Sequence, residues 1–388
     1  MNSKQMNKRQ LSVTLVALLL VLLYACSNDD DPKPHDDSLE KKIGQMLMIG
    51  FRGMEVDEHD QIYDDIASGR VGGVVLFDRD VALGFAPRNV ESPQQVINLN
   101  NQLAQLATEY PLLISVDQEG GRVARLKEEY GFPATVSAEY LGTTNNDDTT
   151  RFYSRRIAQT LSGHGFNVNL APVVDVNINP ESPAIGAIER SFSDDPAIVT
   201  HHAGIFIDEH HNENLFTALK HFPGHGSATA DSHFGLTDVT ETWEETELIP
   251  YQNLIQMGKA DMVMTAHIYN ANWDTEYPAT MSKNVITGIL RNQLGFDGVV
   301  ISDDMNMGAI TDHYGLEEAI FRSIDAGVDI LIFANNLVYD ELIAIKARDI
   351  ILDLIEEGAI TEARIQESYD RIMLLKGRLG KQVAKNAW

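Results

Sequence analysis

From Ser38 onward the sequence alternates short, β-branched apolar runs with amphipathic stretches, and this alternation restricts the fold more than any other feature of the chain. A strand covered on both faces reads as a near-continuous hydrophobic run, whereas a strand with one wet face alternates apolar and polar residues. Eight runs are of the first kind: Met46 to Phe51, Val71 to Phe77, Leu112 to Asp117, Val168 to Asp175, Phe216 to His221, Met262 to His267, Gly298 to Asp303 and Ile330 to Ala334. The clearest helix between them opens at Ser92-Pro93-Gln94-Gln95, an N-cap, a first-turn proline and a capping-box glutamine. It continues with Val96, Leu99, Leu103 and Leu106 on one face. Gly163 and Gly358 mark the ends of two others. Eight strands alternating with helices predict an α/β fold, a closed (β/α)8 TIM barrel forming a single catalytic domain, because right-handed crossovers make that closure natural. A doubly wound open sheet competes, but the sequence contains neither a Gly-x-Gly-x-x-Gly turn nor a phosphate loop ending in Gly-Lys-Ser/Thr.

Lys4, Lys8 and Arg9 precede an apolar run from Leu11 to Ala25, too short for a comfortable bilayer span and suited to the centre of a signal peptide over residues 1–25. The run ends at Cys26, the single cysteine of the chain, and Leu23-Tyr24-Ala25-Cys26 resembles a bacterial lipoprotein signal that leaves the cysteine as the lipidated first residue. Residues 26–37 carry Asp29, Asp30, Asp31, Asp36 and Asp37 with two prolines and read as a flexible acidic tether. The barrel domain is expected over residues 38–388. The expected location is the cell envelope, as an outer-membrane lipoprotein on the periplasmic face or the cell surface, touching the membrane through its lipid. One cysteine excludes an intrachain disulfide and a thiolate metal cluster. A net charge of −27 over 388 residues repels phosphate backbones and excludes nucleic acid as a partner. The chain is expected to act as a monomer.

Polar residues fall where the predicted strands end: Asp117, Asp175, Lys220-His221, His267 and Asp303-Asp304. In a barrel these ends converge on one face, where such enzymes carry their chemistry, so a polar pocket at the mouth is expected. After Lys220-His221 the chain runs through Phe222-Pro223-Gly224-His225-Gly226 and four small residues to Asp231-Ser232-His233. Pro223 and Gly224 break the helix that a His221/His225 zinc pair would need, so no metal is expected. Asp231, two residues from His233, can orient the imidazole and favour its charged form, as an acid catalyst requires. Of the adjacent Asp303 and Asp304, one can cap the next helix while the other faces the axis. Asp117-Gln118-Glu119-Gly120-Gly121-Arg122-Val123-Ala124-Arg125 supplies carboxylate and guanidinium groups suited to sugar hydroxyls, and Arg190 lies in the long loop after the fourth strand. A salt bridge from Arg190 to Glu189 or Asp194 is the simplest structural reading of that arginine. The pairs His201-His202 and His210-His211 are expected to face solvent from a helix.

DQEGGRVARL, NLAPVVDV, the Arg190-Ser191-Phe192 tripeptide, KHFPGHG with its four-residue gap to DSH, and VISDDM follow one another in an order that resembles the bacterial β-N-acetylhexosaminidases of glycoside hydrolase family 3. The likeness runs from Ser38 to Gly380. It implies that Asp303 is the catalytic nucleophile, His233 the acid/base and Asp231 its assistant, while Asp117, Arg125, Arg190, Lys220 and His221 hold a terminal N-acetylglucosamine. Met305 stands where leucine is common in the family. The implied reaction is retaining, exo-acting hydrolysis of β-linked GlcNAc from murein fragments or other GlcNAc-containing oligosaccharides, without metal or organic cofactor. A phosphorylase, a β-glucosidase, a substrate-assisted hexosaminidase and a catalytically silent glycan-binding lipoprotein remain as alternatives.

Overall fold

The computed structural model describes residues 37–232, 235–311 and 313–383. Cys26, the apolar run before it and the tether as far as residue 36 lie outside the described residues, and so does His233. Each of the eight predicted runs contributes a parallel strand to one closed barrel: β1 Leu47–Gly50, β2 Gly73–Leu76, β3 Leu113–Val116, β4 Val168–Asn169, β5 Phe216–Phe222, β6 Met262–Thr265, β7 Val299–Asp304 and β8 Ile330–Phe333. Neighbours along the chain are neighbours in the ladder, and β8 closes on β1 through Leu47 opposite Leu331 and Met48 opposite Ile332. Burial on both faces explains the unbroken hydrophobicity, since every residue of β1, β2, β3, β6 and β8 is buried.

The fourth run is where expectation and structure part. Only Val168 and Asn169 form ladder pairs, and Val173 returns as an isolated bridge to Lys220. Pro172 has no N–H for the ladder, so the chain beyond Leu170 runs beside β5 in irregular form and carries Asp175 into the interior.

The helix Pro93–Leu106 begins as predicted: Ser92 Oγ accepts the Gln95 amide at 3.4 Å, and Val96, Leu99 and Leu103 are buried. The Gln95 side chain reaches back to the Glu91 amide (2.9 Å), one residue further than the expected box. Gly358 has a positive φ of 76° just beyond the helix Ile343–Glu356, as a helix end requires. At the other predicted end, Gly165 takes that conformation (φ 82°), while Gly163 is still helical.

The helix Pro196–Asn212 packs between Asp147–Gly163 and Ile249–Gln256, and this corrects the reading of its histidines. His202 and His210 are fully buried; His201 alone is half exposed. His202 bonds to Thr150 Oγ1 (2.9 Å) and Asn145 Oδ1 (3.0 Å), and His210 stacks on Phe206 with centroids 4.1 Å apart. Helical periodicity places these residues on a face but does not say that both flanks of the helix are covered.

At the base of the barrel, Asp329 just before β8 is fully buried and accepts from Arg291 (2.7 Å), Ser368 (2.7 Å), Arg371 (3.2 Å) and the Val300 amide (2.9 Å). One carboxylate thereby ties β7 and β8 to the helix Glu362–Val383. Replacing it strands partly buried guanidinium charge, so Asp329→Ala is expected to lower unfolding free energy by about 3 kcal/mol. Urea denaturation followed by circular dichroism measures this; a loss below about 1 kcal/mol contradicts the assignment.

Candidate active site

The C-terminal ends of β3, β5 and β7 and the loop after β4 deliver the charged residues of the mouth. Lys220, near the end of β5, is buried between two carboxylates, 2.8 Å from Asp117 Oδ1 and 2.6 Å from Glu119 Oε1. Arg190 donates to both oxygens of Glu119 (2.9 and 2.8 Å) and to the carbonyl of Ala184 (2.8 Å). Its partner is thus Glu119, neither Glu189 nor Asp194. Arg125 reaches Asp117 Oδ2 at 3.3 Å and lies over the Phe77 ring.

These pairings set the charge states. Burial alone would push the Asp117 carboxyl up, but the charges of Lys220 and Arg125 outweigh it and hold Asp117 well below the usual carboxylate range. Glu119 is likewise raised by burial, more than offset by Arg190 and Lys220, and settles at about 2. Burial works against the charge on Lys220, yet Asp117 and Glu119 raise its pKa above the ordinary value. All three groups are therefore ionised through neutral pH.

His221 stands behind the cations. Its Nδ1 lies 2.7 Å from Asp175 Oδ2, and its Nε2 is 3.1 Å from the Arg190 guanidinium. The guanidinium can only donate, so Nε2 accepts and Nδ1 carries the proton toward Asp175. Asp175 is fully buried, and its other oxygen accepts the amides of His221 (3.1 Å) and His225 (2.9 Å).

On β7 both aspartates line the pocket, and neither caps the next helix, Gly308–Thr311; Asp304 is instead tied to backbone. Asp304 Oδ1 accepts the amides of Asn306 (3.0 Å) and Ala334 (2.8 Å), welding the end of β7 to the end of β8. Asp303 accepts the Asp304 amide at 2.8 Å and presents its half-buried carboxylate to the pocket. His267 does not line the pocket; it is buried and holds the Asp304 carbonyl through Nε2 (3.0 Å). Of the polar strand ends, Asp117, Lys220, His221, Asp303 and Asp304 line the mouth, while Asp175 and His267 brace it from behind.

The resulting pocket has a volume of about 290 Å³ and brings together Asp117, Arg125, Arg190, Lys220, His221, Asp231 and Asp303. Val75, Phe77, Leu170, Met264 and Ile332 supply apolar wall. The proposed contact between Asp231 and His233 lies outside the described residues.

Sequence reasoning passed over Glu119, the second carboxylate on Lys220, although its place two residues after Asp117 puts it on the same side of an extended segment. It also passed over a relay that fixes this segment. His210 Nδ1 donates to the Phe206 carbonyl (2.8 Å), which leaves Nε2 to accept from Asn169 Nδ2 (3.0 Å). Asn169 Oδ1 accepts the Gln118 amide (3.1 Å), and Gln118 Oε1 accepts the amides of Arg125 and Leu126 (2.9 and 3.0 Å). Burial pushes His210 down to about 4, so the relay stays neutral. No local motif announces it, because its members come from β4, a distant helix and the loop after β3.

Residues 38–375 match the glycosyl hydrolase family 3 N terminal domain. The chain is 33% identical over 344 residues to beta-hexosaminidase A of Pseudoalteromonas piscicida, covering 82% of this chain and about half (55%) of the relative's length. It is 36% identical over 315 residues to a beta-hexosaminidase of Xylella fastidiosa strain M23, covering 78% of this chain and 88% of the other. Among solved structures, a glycoside hydrolase family 3 β-N-acetylglucosaminidase from Paenibacillus sp. superposes with a TM-score of 0.80 at 35% identity, over 88% of this chain and 62% of that one. The β-N-acetylhexosaminidase of Beutenbergia cavernae gives 0.78 at 27% identity, over 88% and 99%.

Carboxyls held low in the folded state add stability that is fully present above their unfolded pKa, about 4.5 for Glu119, and is lost as pH falls through the folded value, about 2. Glu119→Gln is expected to lower stability at pH 7 and to flatten its decline between about pH 4.5 and 2. Thermal melts across that window check it; parallel curves for the two proteins contradict the pairing.

Proposed function

The chain belongs to glycosyl hydrolase family 3, and from that premise we propose a retaining, exo-acting β-N-acetylglucosaminidase that forms a covalent glycosyl-Asp303 intermediate. The reading rests chiefly on the convergence of Asp303 with Asp117, Arg125, Arg190, Lys220 and His221 around one small pocket. A volume near the lower end of the ~300–1,000 Å³ range of ligand sites suits one terminal sugar, which is why the action is read as exo.

Asp303 attacks the anomeric carbon as the glycosidic C–O bond breaks, and protonated His233 gives its proton to the departing oxygen. Water then attacks the same carbon, loses a proton to His233 and releases Asp303. Asp231 orients the imidazole from two residues away. The ion-paired groups of the mouth hold the sugar so that oxocarbenium-like distortion is accessible. Because Asp304 Oδ1 is engaged by two backbone amides, Asp303 acting alone is favoured over a carboxylate pair that positions the acetamido oxygen.

The charge balance favours water over phosphate as the acceptor. Five carboxylates (Asp117, Glu119, Asp231, Asp303 and Asp304) and three permanent cations (Arg125, Arg190 and Lys220) line the pocket, and the cations are already paired. A phosphate dianion would meet net negative charge. With lipid at Cys26, the enzyme would stand in the cell envelope, where murein fragments are the proposed natural substrates.

Release of p-nitrophenol from its β-N-acetylglucosaminide is expected, reduced by about 10³-fold or more in Asp303→Ala. Proton NMR should show the β-anomer of GlcNAc first, in phosphate and phosphate-free buffer alike. An α-anomer, a sugar 1-phosphate or a preference for the β-glucoside each overturns part of the assignment. Mass spectrometry of the protein from membranes is expected to find an acylated Cys26 at the N-terminus, absent in Cys26→Ser.

A further inference from the structure

The segment that leaves β5 and leads to Asp231 is held at its root by two buried acids of different character. Asp175 accepts the His225 amide. Glu247, in the short helix Glu245–Leu248, accepts the Gly226 amide through Oε2 at 2.8 Å. The root is wedged: a Cβ on Gly224 would lie 2.5 Å from Glu247 Cβ, and one on Gly226 would lie 1.7 Å from the Val176 carbonyl oxygen. Asn179 bonds to Gly226 and Ala228 from the far side, and Trp243 Nε1 donates to the Pro223 carbonyl at 3.2 Å. Further along, His225 Nε2 lies 3.3 Å from Ser232 Oγ, next to Asp231.

Asp175 accepts a hydrogen bond from the His221 ring, whereas Glu247 is fully buried and takes part in none of the ion pairs among the described residues. Among the described residues, the groups that act on Glu247 are uncharged or negative. They include Ser227, the carboxylate of Asp175 and the phenol of Tyr251, which is carried by the helix Ile249–Gln256. His225, pushed down to about 4 chiefly by burial, adds no positive charge near neutrality. Burial, aided by Asp175, pushes the Glu247 carboxyl up to about 8. A raised carboxyl favours the fold in its protonated form; that contribution is complete below the ordinary value of 4.5 and is lost as pH rises through 8.

We infer that Glu247, as a neutral carboxylic acid, is a positioning residue that keeps the Pro223–Ser232 segment docked, and that its ionisation releases the segment and misplaces the acid/base machinery. The inference rests on the hydrolase reading above for its kinetic consequence only. A second negative charge beside Asp175, in a site without a counter-ion, has no partner to offset its desolvation, and separation of the loop root from Glu247 admits water.

A 2,4-dinitrophenyl β-N-acetylglucosaminide needs no proton on its leaving group, so loss of the acid catalyst's proton does not limit its cleavage; turnover is set by the second step, in which a misplaced His233 no longer takes the proton from water. For the wild type, kcat on this substrate is expected to fall about tenfold per pH unit above about pH 8. Glu247→Gln, the uncharged isostere, is expected to remove that fall, and Glu247→Ala to lower kcat at pH 7 by ~10-fold with KM falling alongside it, since the glycosyl-enzyme accumulates when its hydrolysis is slowed. Trp243, stacked edge-on against Trp273 (4.7 Å), reports the docking without substrate: its fluorescence should titrate near pH 8 in the wild type and not in Glu247→Gln. Superposable pH profiles and fluorescence titrations for wild type and Glu247→Gln overturn the inference. Should Glu247→Gln not fold, an untitrating Trp243 signal in the wild type between pH 7 and 9.5 overturns it equally. Absence of any glycoside cleavage, with the fluorescence difference present, refutes the hydrolase reading and leaves the latch standing.

Discussion

Lys220, buried between Asp117 and Glu119, is the interaction on which the mouth of this barrel depends. An ammonium group taken out of water costs several kcal/mol unless it is paired and hydrogen-bonded, and a carboxylate costs as much. The ends of β3 and β5 and the loop after β4 therefore settle where these five charges find their opposites. Lys220 needs both carboxylates, Glu119 needs Arg190, and Asp117 needs Arg125. The price of this order is that removing any one member leaves a buried charge short of a partner. The gain is a set of donors and acceptors whose directions are fixed before substrate arrives, which is the condition for stabilising developing charge without reorganisation.

A second layer, uncharged or internally balanced, keeps that network in register. His210, Asn169 and Gln118 pass one chain of hydrogen bonds from a helix through β4 to the segment bearing Asp117 and Glu119. His267 holds the Asp304 carbonyl, and Asp175 holds both the His221 ring and the start of the loop that follows β5. Histidine rings suit this work, because their two nitrogens bind two different partners in fixed directions. The latch inferred at Glu247 extends the same logic to the segment that follows β5, with a proton in place of a counter-ion.

The pocket, small and with a carboxylate excess, is better suited to a neutral terminal sugar than to a phosphorylated ligand or a phosphate acceptor. The base of the barrel carries its own buried network around Asp329, remote from the pocket-lining residues. Stability and chemistry are thus assigned to opposite ends of the strands, as parallel barrels permit.

What the sequence determined by itself is the barrel and the positions at which chemistry could occur. Both follow from local pattern: eight doubly covered strands must be hydrophobic throughout, and a polar residue directly after such a strand must lie at its end. Asp303 and Asp117 were legible for that reason, and Lys220 and His221, at the end of β5, with them. Tertiary structure alone decided which polar strand ends face the pocket and which brace it, since Asp175 and His267 read no differently from Asp117 in sequence. It decided that Arg190 pairs with Glu119 and that His202 and His210 are buried, because both depend on partners far away in the chain. It also decided that Glu247 is buried beneath the loop root, outside the ion pairs of the described residues, because the segments that cover it come from distant parts of the chain.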